Sequence, residues 1–140
     1  MKEMDIIRKI LVALMLILWV AMGYENYRNM SKVSHFENRK GPQLILFWAN
    51  WCGHCSRIKG KGGEKKEWDI LEEKKILTSK GLVDVVNYEE SETPPELLKK
   101  FQIVQYPTIV FVKEDGSHII QEEGERRVEN WEKFVRENII

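Results

Sequence analysis

This chain of 140 residues has only two cysteines, and both fall within the four-residue span Cys52-Gly53-His54-Cys55. A closed structural zinc site wants four ligands, commonly two such pairs or one pair with two suitably spaced histidines. With no further cysteine, and with His35 and His118 on distant segments, the ligand count argues against a metal site within one chain. Covalent haem attachment would require His directly after the second cysteine, where Ser56 stands. A metal or cluster shared between two chains stays open. The chain also lacks net charge: Lys+Arg and Asp+Glu balance at 22 each, so nothing suggests a nucleic-acid partner. It has no Gly-rich phosphate loop after a strand, no His-Glu-x-x-His and no Ser nucleophile elbow. The cysteine pair stands almost alone as chemistry, and no organic cofactor is called for.

What is present begins with the placement of that pair directly after the apolar run Leu44 to Ala49. Such a run, bounded by a turn signal, reads as a strand covered on both faces, so Trp51-Cys52 falls at a strand-to-helix junction. A helix expected from Cys52 to Lys59 would place Cys52 at its first turn, where unpaired N–H groups and the helix dipole favour thiolate over thiol. A thiolate is the attacking species in disulfide exchange. Cys55, one turn further on and more buried, is then placed to resolve a mixed disulfide. His54 adds a group able to carry positive charge beside the same sulfur, which favours the reduced thiolate. A static disulfide is the weaker reading, because closing so short a loop removes little entropy from the unfolded chain.

The amino terminus differs in kind. Ile10 to Gly23 is fourteen residues without a charge, preceded by Arg8 and Lys9. A core helix is rarely so apolar on every face. Residues 6–23 read as a membrane segment, either an uncleaved signal anchor or a signal peptide cut after Ala21-Met22-Gly23. Lys2, Arg8 and Lys9 predict a cytoplasmic amino terminus, although Arg28 and Lys32 weaken the bias. The cysteines then face an endoplasmic reticulum lumen, a periplasm or the exterior, where disulfides persist. Residues 24–30 read as a tether, and residues 31–140 as one domain that opens with a short helix closed by Gly41-Pro42.

Gly60-Lys61-Gly62-Gly63 breaks the helix that follows the cysteines. A second helix is expected over Glu64 to Ser79, with Trp68 and Leu71, and also Ile70 and Leu77, facing inward among eight Lys and Glu residues. Leu82 to Val86 reads as a strand, Glu89 to Pro95 as an acidic connection and Glu96 to Phe101 as one or two helical turns. Thr108 to Val112 and Ser117 to Gln121 form a hairpin through Glu114-Asp115-Gly116. Arg126 to Ile139 is a final helix with Val128, Trp131, Phe134, Val135 and Ile139 on one core face. The order predicts an α/β fold, a central mixed sheet flanked by helices.

Phe47-Trp48-Ala49-Asn50-Trp51-Cys52-Gly53-His54-Cys55, taken with Tyr106-Pro107-Thr108 and the Asp115-Gly116 hairpin, resembles the thioredoxin superfamily over residues 31–140. The Gly53-His54 dipeptide and Tyr106 are closer to protein disulfide isomerase domains, and Phe47-Trp48-Ala49 is closer to thioredoxin. The resemblance implies a thioredoxin-like fold and thiol–disulfide exchange on protein substrates, as oxidase, isomerase or reductase, with a redox partner that recycles the pair. It implies a cis Tyr106–Pro107 bond, with Trp51, Tyr106, Pro107 and Thr108 presenting the substrate. Arg126 or Arg127 resembles the arginine that isomerase domains swing toward the resolving thiol.

The departures matter as much. Leu46 stands where the family keeps a buried carboxylate, and Val85 where it keeps the partner Lys, so the base that would deprotonate Cys55 is missing. That loss supports a rival reading, a client-binding module without turnover. The stretch between Cys55 and Pro107 is longer than in thioredoxin. It is read as a surface insertion with Trp68 in the core, against the alternative of a docking surface built on Trp68.

Overall fold

The computed structural model describes residues 2–37, 39, 41–121 and 124–140. The chain divides into two compact units, residues 1–38 and 39–140. The first is one helix, α1 (Lys2–Glu37). Its apolar side chains from Ile6 to Met22 are exposed on every side, Trp19 most of all. Residues 4–31 form the one described helix long and apolar enough to cross a membrane. Residues 24–30, expected as a tether, lie inside this helix. Nothing from Tyr24 to Glu37 breaks helical geometry, and a single glycine at position 23 costs only about 1 kcal/mol.

The second unit is built on β1 (Gln43–Trp48), every residue of which is buried. It pairs in parallel with β3 (Gly81–Glu89) and antiparallel with β4 (Thr108–Val112). Two hairpins complete the five-stranded sheet: β2 (Ile76–Thr78) on β3, and β5 (His118–Ile120) on β4. The strand order is β2-β3-β1-β4-β5. Side chains alternate across β1. Leu44, Leu46 and Trp48 join Val83, Val85, Ile109 and Phe111 in the main core, under α2 (Glu67–Lys74) and α4 (Val128–Asn138). Phe47 turns the other way, onto Tyr88 and onto Phe101 at the end of α3 (Pro95–Lys100). The expected mixed sheet with helices on both faces is present.

The stripe on α4 sits as its spacing predicts, with Trp131 and Val135 buried and Val128, Phe134 and Ile139 partly so. Trp131 meets Trp68 edge to face at 5.1 Å between ring centroids. Trp68 is fully buried, which removes it as a docking residue. Two expected helices are corrected. Lys75 takes φ 57°, a left-handed conformation that ends α2, and the β-branched Ile76 and Thr78 then build the hairpin. In that register Ile76 is buried while Leu77 is exposed, as Ile70 is on α2. The helix expected from Cys52 to Lys59 is a short 3-10 turn over Cys55–Arg57.

Gly60 lets the chain fold back closely on itself after that turn. A methyl group on its Cα would lie 1.7 Å from the Glu64 carbonyl oxygen and 2.9 Å from Asp69 Oδ2, and a backbone carbonyl cannot simply rotate away. Gly60→Ala is expected to destabilise the protein by about 2–3 kcal/mol. Gly53→Ala, with nothing within 4 Å of the added carbon, should change stability by less than about 0.5 kcal/mol. Urea unfolding followed by near-ultraviolet circular dichroism checks both.

Candidate functional site

Three segments meet at the carboxyl end of β1. The strand delivers Asn50, Trp51 and Cys52, and the Cys52 amide closes the exit turn on the Ala49 carbonyl at 3.1 Å. Beside it, the parallel partner β3 ends in Glu89, whose carboxylate accepts the Asn50 amide at 3.2 Å. On the other flank, antiparallel β4 begins after Tyr106-Pro107, and that peptide bond is cis. The Thr108 hydroxyl donates to the Gln105 carbonyl at 2.7 Å and closes the loop on itself.

Cys52 and Cys55 are both free thiols. The Cys55 amide donates to the Cys52 carbonyl at 3.1 Å and to Cys52 Sγ at 3.3 Å. The Cys52 thiol donates to the Tyr106 carbonyl at 3.5 Å. Cys52 keeps 7% of its surface open and Cys55 none. Burial pushes the Cys55 thiol up to about 12 and the adjacent Cys52 sulfur adds to the rise, while a backbone hydrogen bond at Ala49 and, least of all, the positive charge of Arg126 act against it. The two sulfurs are therefore unequal in access, as their spacing suggested, but a dipole from a long helix is not the cause.

The expected site residues separate clearly. Cys52, Cys55, Tyr106, Pro107 and Thr108 come together, with Gly53 and His54 in the exposed turn between the thiols. Among the described residues the His54 ring makes no hydrogen bond. Trp51 is 73% exposed. Its ring stands edge-on to Tyr106 at 6.0 Å, and its indole N–H donates to Glu90 Oε2 at 2.5 Å. The two arginines also differ: the charge of exposed Arg126 is the smallest of the influences on Cys55, lowering it, whereas Arg127 lies 3.6 Å from Glu125. The Val128 amide donates to Glu67 at 3.2 Å, which ties the start of α4 to α2. Leu46 and Val85 lie in the same apolar cluster as both cysteines.

A polar chain beside the site was not foreseen. The Trp48 indole donates to Asn87 Oδ1 at 2.8 Å, and the Asn87 amide donates to Glu72 at 2.9 Å. Lys59 binds Glu72 at 3.3 Å and makes a short contact to Asp69. Asp69 also accepts the amides of Gly60 (2.7 Å) and Lys66 (2.9 Å). Burial works against its charge, but the Lys59 hydrogen bond and the two amides outweigh it and hold its carboxyl below the usual range. The only hint in the sequence is Asp69 at the third position of a helix, where an acid can turn back to cap the first turn.

A reduced thiol pair at the end of a buried strand, facing a cis-proline loop across an α/β sheet, defines a thioredoxin-like module. The chain belongs to the thioredoxin family: the family model described as Thioredoxin matches residues 25–137. Bloodstream-specific protein 2 of Trypanosoma brucei brucei is 35% identical over 97 residues, covering 69% of this chain and 17% of that protein. A thioredoxin of Mycobacterium tuberculosis is 33% identical over 78 residues, covering 56% of this chain and 57% of its own. The solution structure of the first thioredoxin domain of mouse protein disulfide-isomerase A4 superimposes with a TM-score of 0.59 at 26% identity, covering 78% of this chain and 71% of that one. The chain thus spans from about a sixth to just over half of these curated relatives.

The inequality of the thiols is measurable. At pH 8, iodoacetamide should give a single adduct on Cys52 well before Cys55, because a thiol near 12 is almost wholly protonated there. Peptide mapping of the alkylated protein identifies the order. Equal labelling would contradict the assigned burial.

Proposed function

We propose that the protein is a thiol–disulfide oxidoreductase acting on protein thiols and disulfides. The observation that carries this reading is the pair of free thiols with Cys52 against the Tyr106 carbonyl. In the reductive direction, the Cys52 thiolate attacks one sulfur of a client disulfide, forming a mixed disulfide and expelling the first client thiolate. The Cys55 thiolate then attacks Cys52 Sγ, which breaks the mixed bond and releases the second client thiolate. The client has gained two electrons, the protein holds a Cys52–Cys55 disulfide, and a dithiol partner restores it. Oxidation runs the same steps backward with a disulfide partner.

Trp51, Tyr106, Pro107 and Thr108 present an extended client segment, whose backbone pairs with that of Tyr106. The Gly53-His54 dipeptide favours oxidation or isomerisation. With Leu46 and Val85 in place of an acid and its lysine, the second step relies on Arg126 to stabilise the Cys55 thiolate. The apolar exposure of α1 all round supports a membrane anchor, with the thiols on the non-cytoplasmic side.

The full chain in detergent should reduce insulin or refold reduced, denatured ribonuclease, and Cys52→Ser should abolish both activities. A reduction potential near about −180 mV would assign an isomerase-like role, and one near about −270 mV a reductant. Arg126→Gln should leave formation of the mixed disulfide in place and slow its release by about threefold to tenfold, read by acid-quenched trapping. Absence of turnover with Cys52 still open to alkylation would instead support a client-binding module. For location, a membrane-impermeant maleimide should label Cys52 in intact cells or periplasm-permeable spheroplasts, and the full-length protein should resist carbonate extraction.

A further inference from the structure

The stretch from Glu89 to Glu96 holds four glutamates and no basic residue, in a chain whose charges balance overall. The parallel register sets Glu89 opposite Trp48 and so brings the start of this stretch beside the Trp51-Cys52 turn. Its members are not equivalent. The Glu89 carboxylate is committed to backbone and loop partners, accepting the Asn50 amide and both the amide and the hydroxyl of Ser91. Glu90 faces the site. Oε2 accepts the indole N–H of Trp51, and its negative charge, together with the smaller effect of Glu89, adds to burial in raising the Tyr106 phenol. No described Lys or Arg forms an ion pair with Glu90.

We propose that Glu90 determines client specificity, selecting extended segments that carry a lysine or arginine next to the cysteine to be exchanged. This rests on the oxidoreductase reading and adds to it the chemical class of the client. An extended segment laid against the Tyr106 backbone, with its sulfur at Cys52, passes beside the exposed Trp51 ring that Glu90 holds. A basic side chain next to that sulfur comes within reach of the Glu90 carboxylate and can lay its methylene stem on the indole. An acidic side chain there meets Glu90 as a like charge, and an exposed pair of this kind biases binding modestly in either direction. Val104, 91% exposed on the segment that leads to Tyr106, adds apolar surface without charge.

The test uses the full chain in a non-ionic detergent and two peptides of one sequence, each with its single cysteine in a mixed disulfide with a reporter thiol. They differ only in Lys or Glu beside that cysteine. Reduced protein converts each to peptide thiol and reporter thiol while forming its own disulfide, and the readout is the ratio of the single-turnover second-order rate constants for the two peptides. The wild-type ratio should favour Lys by about fivefold at low salt and fall toward one as salt rises. Glu90→Asp should retain the preference, Glu90→Gln should bring the ratio close to one while keeping an acceptor for the indole, and Glu90→Lys should reverse it. The comparison lies within each protein, so a general loss of folding does not imitate the effect. Equal rates for both peptides in the wild type, or an unchanged ratio in Glu90→Gln, would overturn the proposal and leave the oxidoreductase reading intact. Absence of exchange with either peptide would overturn both.

Discussion

Everything at the thiol site depends on the burial of β1. Its six residues are covered on both faces, and fully burying one such apolar side chain contributes roughly 1.5–3 kcal/mol. A central strand held this firmly has one register, because a slip of one residue would exchange its two faces. Parallel pairing with β3 then brings Glu89 and Glu90 to the same end as the cysteines, and antiparallel pairing with β4 brings Tyr106-Pro107 there. Cys52, the acidic rim and the cis-proline loop are neighbours only because that strand is fixed.

The same burial makes the two sulfurs different. Cys52 lies at the rim, and Cys55 lies in the cluster that holds Leu46, Val85, Trp68 and Trp131. An apolar lining favours a neutral thiol, and among the described residues no carboxylate belongs to that cluster to take the proton. Arg126 is the charge that acts in the opposite sense. It sits on the exposed segment before α4, which the Val128–Glu67 hydrogen bond ties to α2.

The turn that carries the thiols is short, so the surroundings must hold it. The chain of contacts from Trp48 through Asn87, Glu72 and Lys59 to Asp69 joins β1, β3, α2 and the loop after the cysteines. Asp69 fixes the Gly60 and Lys66 amides, and Gly60 allows the close approach to Glu64. Lys59 is held in its charged form: burial opposes the charge, and the two carboxylates more than offset it. Polar ties of this kind take the place of a longer helix behind Cys55.

Local pattern in the sequence was enough for the elements that carry a strong one. The continuous apolar run of β1, the hairpin around Asp115-Gly116 and the amphipathic stripe of α4 all formed where their spacing placed them. Cys52 with Cys55, and the pairing of Tyr106-Pro107 with that motif, were legible as well. Where local signals competed, tertiary context decided. The charged run from Glu64 to Ser79 looks helical throughout, yet Ile76 finds a buried place only as a strand beside Val83. Arg126 and Arg127 are indistinguishable by position along the chain; in the fold Arg127 lies beside Glu125, and the Arg126 charge bears weakly on Cys55. Glu90 reads as one acid among several until β3 sets it against Trp51. Sequence determines which groups can do chemistry through residue type and short-range periodicity; which of them share a site depends on strand register and helix docking, because those contacts join residues 39 to 61 positions apart along the chain.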